Sequence, residues 1–130
     1  MRARRTIPTE SQEQAVLIEW WGHYARSKGI DERLLMSIPN GAVLAGDSRR
    51  RAIQMNNLKR AGLRVGAPDL FLAYPTKLSH GMFLEMKRKG EKGTPDQIDF
   101  GMMLRSMGYD SLICLGADEA MKAIKGHIET

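Results

Sequence analysis

Two short apolar runs constrain this chain more than any other feature: Asp69 to Tyr74 (DLFLAY) and Gly81 to Lys87 (GMFLEMK). Each has strand length, and Pro75-Thr76-Lys77 opens a connection of about six residues between them. They read as a hairpin. Antiparallel pairing sets the start of the first run beside the end of the second. Asp69 opens the first run, after Pro68 and the turn Val65-Gly66-Ala67, while Glu85 and Lys87 stand near the end of the second. Alternate residues of a strand share a face, so Glu85 and Lys87 project together, with Phe83 behind them.

The surrounding segments supply layers for such a hairpin. Thr9 followed by Glu10, Gln12 and Glu13 resembles a helix start, and Val16, Leu17, Trp20, Trp21 and Tyr24 recur at helical spacing. A helix over 9–28 follows, ending near Gly29. Leu34 to Pro39 reads as a strand and Asn40-Gly41 as a turn; Asp47 to Ala61 reads as a helix with Gly62 past its end. Thr94 with Pro95 at the first position begins another helix that stops at Gly108. Tyr109 to Leu115 is a strand and Ala117 to Ile128 a last helix, with Asp118 and Glu119 near its positive end. The order predicts an α/β domain with a mixed β-sheet flanked by helices. A length of 130 residues, 42% hydrophobic, suits one domain over 9–130 behind a basic, flexible arm of residues 1–8 that carries Arg2, Arg4 and Arg5.

Charge points toward a polyanion. The formal net charge is +5. Between Ser48 and Pro68 there are six cations (Arg49, Arg50, Arg51, Lys59, Arg60 and Arg64) and no acid, and Arg88, Lys89 and Lys92 make a second basic segment, a glycine-containing loop. Basic excess bears on partners, not on fold. The lone Cys114, in the apolar run SLICLG, reads as a buried hydrophobe and points to a reducing, cytoplasmic compartment. No apolar run reaches the ~18 residues of a membrane span, and no apolar segment follows the basic N-terminus as in a secretory signal. His23, His80 and His127 are scattered without ligand spacing and read as structural or exposed. Trp20 and Trp21 cannot share one helix face, so one belongs to the core.

Two carboxylates brought together by the hairpin repel each other unless a cation lies between them. Asp69, Glu85 and the backbone carbonyl of Met86 form a hard oxygen set of the kind Mg²⁺ prefers, and Lys87 can address a water or a phosphate. That constellation suits phosphodiester hydrolysis. The alternative is structural: Asp69 caps a turn, and Glu85 and Lys87 form an ion pair on an exposed strand. Met82, Phe83 and Leu84 make the strand look central, where unpaired charge is costly.

Pro68-Asp69, fifteen intervening residues and Glu85-Met86-Lys87 resemble the PD-(D/E)XK nuclease motif. With Ile38 to Gly41 (IPNG), LKRAGLRVGAPDLFL (58–72), GMFLEMKRKGEKGTPDQ (81–97) and Gly108-Tyr109, most of the chain, from about Glu10 to Ile128, is similar to the VRR-NUC domain, a virus-type replication-repair nuclease. The resemblance implies a restriction-endonuclease-like core, Mg²⁺ or Mn²⁺ as cofactor, and metal ligation by Asp69 and Glu85. It implies that Lys87 serves the water or phosphate, that Gln97 lies against the site, and that a first-helix glutamate completes it, Glu10 or alternatively Glu13. The nine named cations would then meet the DNA backbone, the basic loop would move over the substrate, and Asn40-Gly41 would sit near the site. Implied further are a homodimer resolving Holliday junctions or other branched DNA, of phage or prophage origin in a bacterial cytoplasm. A flap or nicking nuclease and a non-catalytic DNA-binding module are the alternatives.

Overall fold

The computed structural model describes residues 6–39 and 44–130. Asn40-Gly41 and the arginines Arg2, Arg4 and Arg5 lie outside the described residues. The elements are α1 (Glu10–Ser27), β1 (Leu35–Ser37), α2 (Ser48–Arg60), β2 (Leu70–Leu72), β3 (Met82–Lys87), α3 (Pro95–Ser106), β4 (Asp110–Leu115) and α4 (Ala117–Ile128), with a short 3₁₀ turn at Glu32–Leu34. The sheet order is β1-β2-β3-β4. β2 runs antiparallel to β1 and to β3, and β4 runs parallel to β3. The parallel pair demands a crossover, which α3 provides. The architecture is therefore a mixed sheet with helices on both faces.

β3 lies inside the sheet, and its two faces do different work. Met82, Leu84 and Met86 point into the core beside Leu70 and Leu72 of β2 and Cys114 of β4. α1 covers that face with Leu17, Trp21 and Ala25, a stripe at intervals of four, and α4 covers it with Ala117, Ala120 and Ile124. Each fully buried leucine or methionine there contributes about 1.5–3 kcal/mol. Trp21 is the core tryptophan, and its indole nitrogen donates to the Glu32 carbonyl at 2.8 Å. Trp20 is half-buried and stacks on Tyr24. Burial pushes the Cys114 thiol up to about 12, so it behaves as a hydrophobe.

On the opposite face Phe83 stacks on Phe71 at a centroid distance of 4.4 Å, and Tyr109 meets both edge-on. α3 crosses here; its Gly101 lies against the Ser111 side chain of β4, where a β-carbon would meet the hydroxyl at 3.2 Å. A capping box starts α3: Thr94 Oγ1 accepts from Gln97 N while Gln97 Oε1 accepts from Thr94 N.

Two strand predictions are longer by three residues each than the elements formed. β1 occupies only Leu35–Ser37, because the preceding residues tighten into the 3₁₀ turn capped by Asp31. β2 occupies Leu70–Leu72, so the hairpin connection runs over residues 73–81. Tyr74 leaves the ladder because its carbonyl faces His127 Nε2, whose Nδ1 lies 3.1 Å from Asp110 Oδ2. α2 has no buried residue and is capped by Asp47.

Candidate active site

The ladder between β2 and β3 stops at Leu70↔Leu84, and one more step places Asp69 opposite Glu85. Asp69 continues the pairing with its side chain: Oδ2 accepts from Met86 N at 2.8 Å, while its own carbonyl accepts from Ile38 N. The carboxylate is thus fixed along the edge of β3 where a strand partner has ended. Successive peptide groups of a strand point to opposite edges. The Lys87 carbonyl accepts from Gly116 N on the β4 side, so the Met86 carbonyl faces the Asp69 side with its own N–H.

Glu85 is only 6% exposed. Its Oε1 accepts from Gln97 Nε2 at 2.9 Å, and its Oε2 is buried without a hydrogen-bond partner among the described residues. Burial first, then the adjacent Asp69 carboxylate, push its pKa up to about 8, against the pull of Lys87. Lys87 is itself buried, and its Nζ lies 3.9 Å from Glu10 Oε1. Burial outweighs that lysine's pull and, with the Glu91 and Asp69 carboxyls, holds Glu10 above the usual carboxylate range.

The predicted residues Glu10, Asp69, Glu85, Lys87 and Gln97 line one open cleft of about 360 Å³. They come from the first turn of α1, the start of β2, the end of β3 and the first turn of α3. Gly66 makes the convergence possible: at φ +85° it passes so close to α3 that a β-carbon would lie 2.6 Å from the Asp96 backbone.

The cleft separates the two candidate acids of α1. Glu13 does not enter it. Its Oε2 accepts from Ala117 N at the start of α4, whose N-cap position is Gly116 and has no side-chain cap. Glu13 therefore does the capping that glycine cannot.

The predicted cations divide as well. Arg64 lines the cleft, and α2 reaches it through Met55, with Arg49, Arg50, Arg51, Lys59 and Arg60 exposed along the helix. Arg88 donates to the Ile7 carbonyl at 3.0 Å. Lys89 borders a separate depression with Pro8, Glu13, Val16 and Asp118, and Lys92 is exposed. Glu10 has a further neighbour that the sequence does not single out, Glu91, the acid inside the basic loop. Its only signal was opposite charge in the run KRKGEKG.

Among the described residues no three His, Cys, Asp or Glu side chains form a ready-made metal cage. The oxygen set at hand is Asp69, Glu85 and the Met86 carbonyl. It lacks the thiol and imidazole groups that suit zinc, and it resembles the sparse carboxylate sets on which Mg²⁺ keeps several waters.

Among curated proteins none matches the chain. A solved VRR_NUC domain protein shares the fold with a TM-score of 0.78, over 96% of this chain and 92% of that one, at 24% identity. The family model for the VRR-NUC domain matches residues 8–118, which include every residue lining the cleft. The chain belongs to the VRR-NUC domain family of nucleases.

Proposed function

We propose that this protein is a divalent-metal-dependent, structure-selective DNA endonuclease that hydrolyses phosphodiester bonds. The observation that carries the reading is Glu85 Oε2, a buried carboxylate oxygen without a donor, beside Asp69 and in one cleft with Lys87. An acid held in that state calls for a proton or a cation. Asp69, Glu85 and the Met86 carbonyl would hold Mg²⁺ or Mn²⁺. When bound, the cation supplies positive charge to the scissile phosphate and to the attacking water.

The chain's own groups do the rest. Gln97 holds the Glu85 carboxylate in one orientation through its 2.9 Å hydrogen bond. Lys87 stands on the same face of β3 as Glu85, donates to a phosphate oxygen or to the water, and is oriented by Glu10. Arg64 offers a bidentate contact to a phosphate entering the cleft. The cations of α2 extend this surface along the DNA backbone and contribute affinity without sequence preference.

Branched DNA, in particular a Holliday junction, fits a cleft flanked by a separate basic helix. Symmetric cutting of a junction needs two such clefts, and so a two-fold homodimer. Among the described residues no helix is long and apolar enough to cross a membrane. The proposed setting is the cytoplasm of a bacterial host, with a phage or prophage as source.

The test is incubation with a four-way junction, a flap, a duplex and a single strand in Mg²⁺, Mn²⁺ or EDTA, beside Lys87→Ala and Asp69→Asn. Paired symmetric cuts in the junction, lost in EDTA and in both variants, are expected. Cutting in EDTA, or undiminished cutting by both variants, would overturn the mechanism. Preference for the flap would replace the junction reading alone, and binding without cutting would make the protein a DNA-binding module.

A further inference from the structure

The cleft opens sideways into a second space. Leu63, Arg64 and Ala67 line both the cleft and a groove of about 600 Å³ between α2 and α3. The floor and walls of this groove are apolar: Leu58 of α2, Leu63, Phe83 of β3, and Phe100, Met103 and Leu104 of α3. Its volume is in the range of small-molecule sites, ~300–1,000 Å³. It is not sealed, since Met103 is 44% exposed and α2 buries no residue over it. Apolar surface left open in this way marks a binding site more often than a packing fault.

We infer that this groove is a base-binding site, which takes one unpaired nucleobase from the strand whose phosphate lies in the cleft. The inference rests on the proposed reading of the cleft as a DNA site, and gives its substrate class a physical basis. Three features select a nucleobase. Phe83 is a fixed platform, held by its 4.4 Å stack on Phe71 and by the edge of Tyr109. Among the described residues lining the groove, the charged one is a cation, Arg64, and no acid faces it. Lys59 and Arg60 stand exposed next to Leu58 on the α2 wall. An apolar, aromatic pocket with cations at its rim and a phosphate site at its mouth complements a nucleotide turned out of its stack. A second copy of the chain suits it less, because it would bring one set of α2 cations against another.

Such a site raises affinity for DNA that already holds a base outside the helix, because the unstacking has been done. The test measures binding by fluorescence anisotropy in EDTA, where no cutting interferes. The probes are a duplex, the same duplex with one unpaired adenine, and the same duplex with an abasic residue in place of that adenine. The unpaired adenine should bind on the order of tenfold more tightly than the duplex, and the abasic probe should lose that gain. Phe100→Leu and Met103→Glu should erase the preference and keep duplex binding; thermal unfolding confirms that both fold. Equal binding of the adenine and abasic probes would overturn the inference, as would equal weakening of all three probes by both variants. Self-association abolished by Met103→Glu would overturn it too, making the groove a contact between copies. Cutting in Mg²⁺ is scored separately. A base preference without cutting would refute the nuclease reading and keep this site, and cutting without a base preference would do the reverse.

Discussion

The side-chain amide of Gln97 joins the start of α3 to the middle of the sheet: Nε2 donates to Glu85 Oε1 at 2.9 Å, and Oε1 accepts from Thr94 N at 2.9 Å. Both ends of the amide are engaged, so the capping box that begins α3 also sets the rotamer of a carboxylate on β3. A local signal for helix initiation and a long-range contact of the cleft reside in one residue.

Gln97→Ala removes both bonds, whereas Thr94→Ala removes a cap bond alone. Each variant should lose about 1 kcal/mol in a denaturant titration. Cleavage should separate them: Gln97→Ala should fall about 10–100-fold, as for groups that orient metal ligands, while Thr94→Ala stays near the parent. Equal cleavage by the two would show that Gln97 acts through the helix only.

Glu85 makes the stability of the metal-free protein depend on pH. Its folded pKa, pushed up to about 8 by burial and then by Asp69, lies above the ordinary 4.5. A raised acid pKa means that the folded state prefers the protonated form. Below about pH 4.5 both states are protonated and the shift has no effect. Between 4.5 and 8 stability falls as pH rises, and above 8 the full penalty, on the order of a few kcal/mol, is present. Thermal melts in EDTA should therefore decline across that window, and the decline should flatten in Glu85→Gln. Added Mg²⁺ should raise the melting temperature more at pH 8.5 than at pH 5.5. A melt in EDTA insensitive to Glu85→Gln across the window would count against a strained carboxylate.

Glu10 and Glu13 are three residues apart and have opposite expected phenotypes. Glu10 faces Lys87 in the cleft, and Glu13 accepts from Ala117 N at the start of α4. Glu10→Gln should cut more slowly with stability almost unchanged, since the carboxylate is half-exposed. Glu13→Ala should lose about 1–2 kcal/mol, because it leaves the start of α4 without its cap, and it should cut at the parent rate. Nuclease assays and urea melts on the same two preparations decide the assignment.

That assignment shows where sequence reading stops. Glu10 and Glu13 look alike along α1, since both stand at a helix start and share a face; what separates them is Gly116, a cap position without a side chain, on the far side of the chain. The helices α1 and α3 were legible because their starts are written locally, as Thr9 with Gln12 and Thr94 with Gln97. The juxtaposition of Asp69 with Glu85 was legible because hairpin register follows from strand pairing. The strand ends were not, since the Asp69 side chain replaces backbone pairing at one end of β2 and His127 approaches the Tyr74 carbonyl beyond the other. The α2 sequence does carry a sign that it buries no residue, because Ile53 stands on a different side of the helix from Met55 and Leu58 and no continuous apolar stripe results.

α2 carries its arginines at the wrong end for stability. Arg49, Arg50 and Arg51 occupy the first turn, where the helix dipole is positive, and the one acid at that end is the N-cap Asp47, whose carboxylate accepts from Arg50 N. All three are exposed and none forms an ion pair among the described residues. An arrangement that opposes the helix it sits in points to a ligand that repays it, and a DNA backbone is such a ligand. Replacing all three with glutamine should leave thermal stability equal or raise it by a few tenths to about 1 kcal/mol. The same change should weaken DNA binding across all sequences and lower the slope of log K against log salt by up to about 3. Stability and affinity thus move in opposite directions. A variant that loses both would mean that the arginines hold α2 in place, and a variant with an unchanged salt slope would remove α2 from the DNA surface.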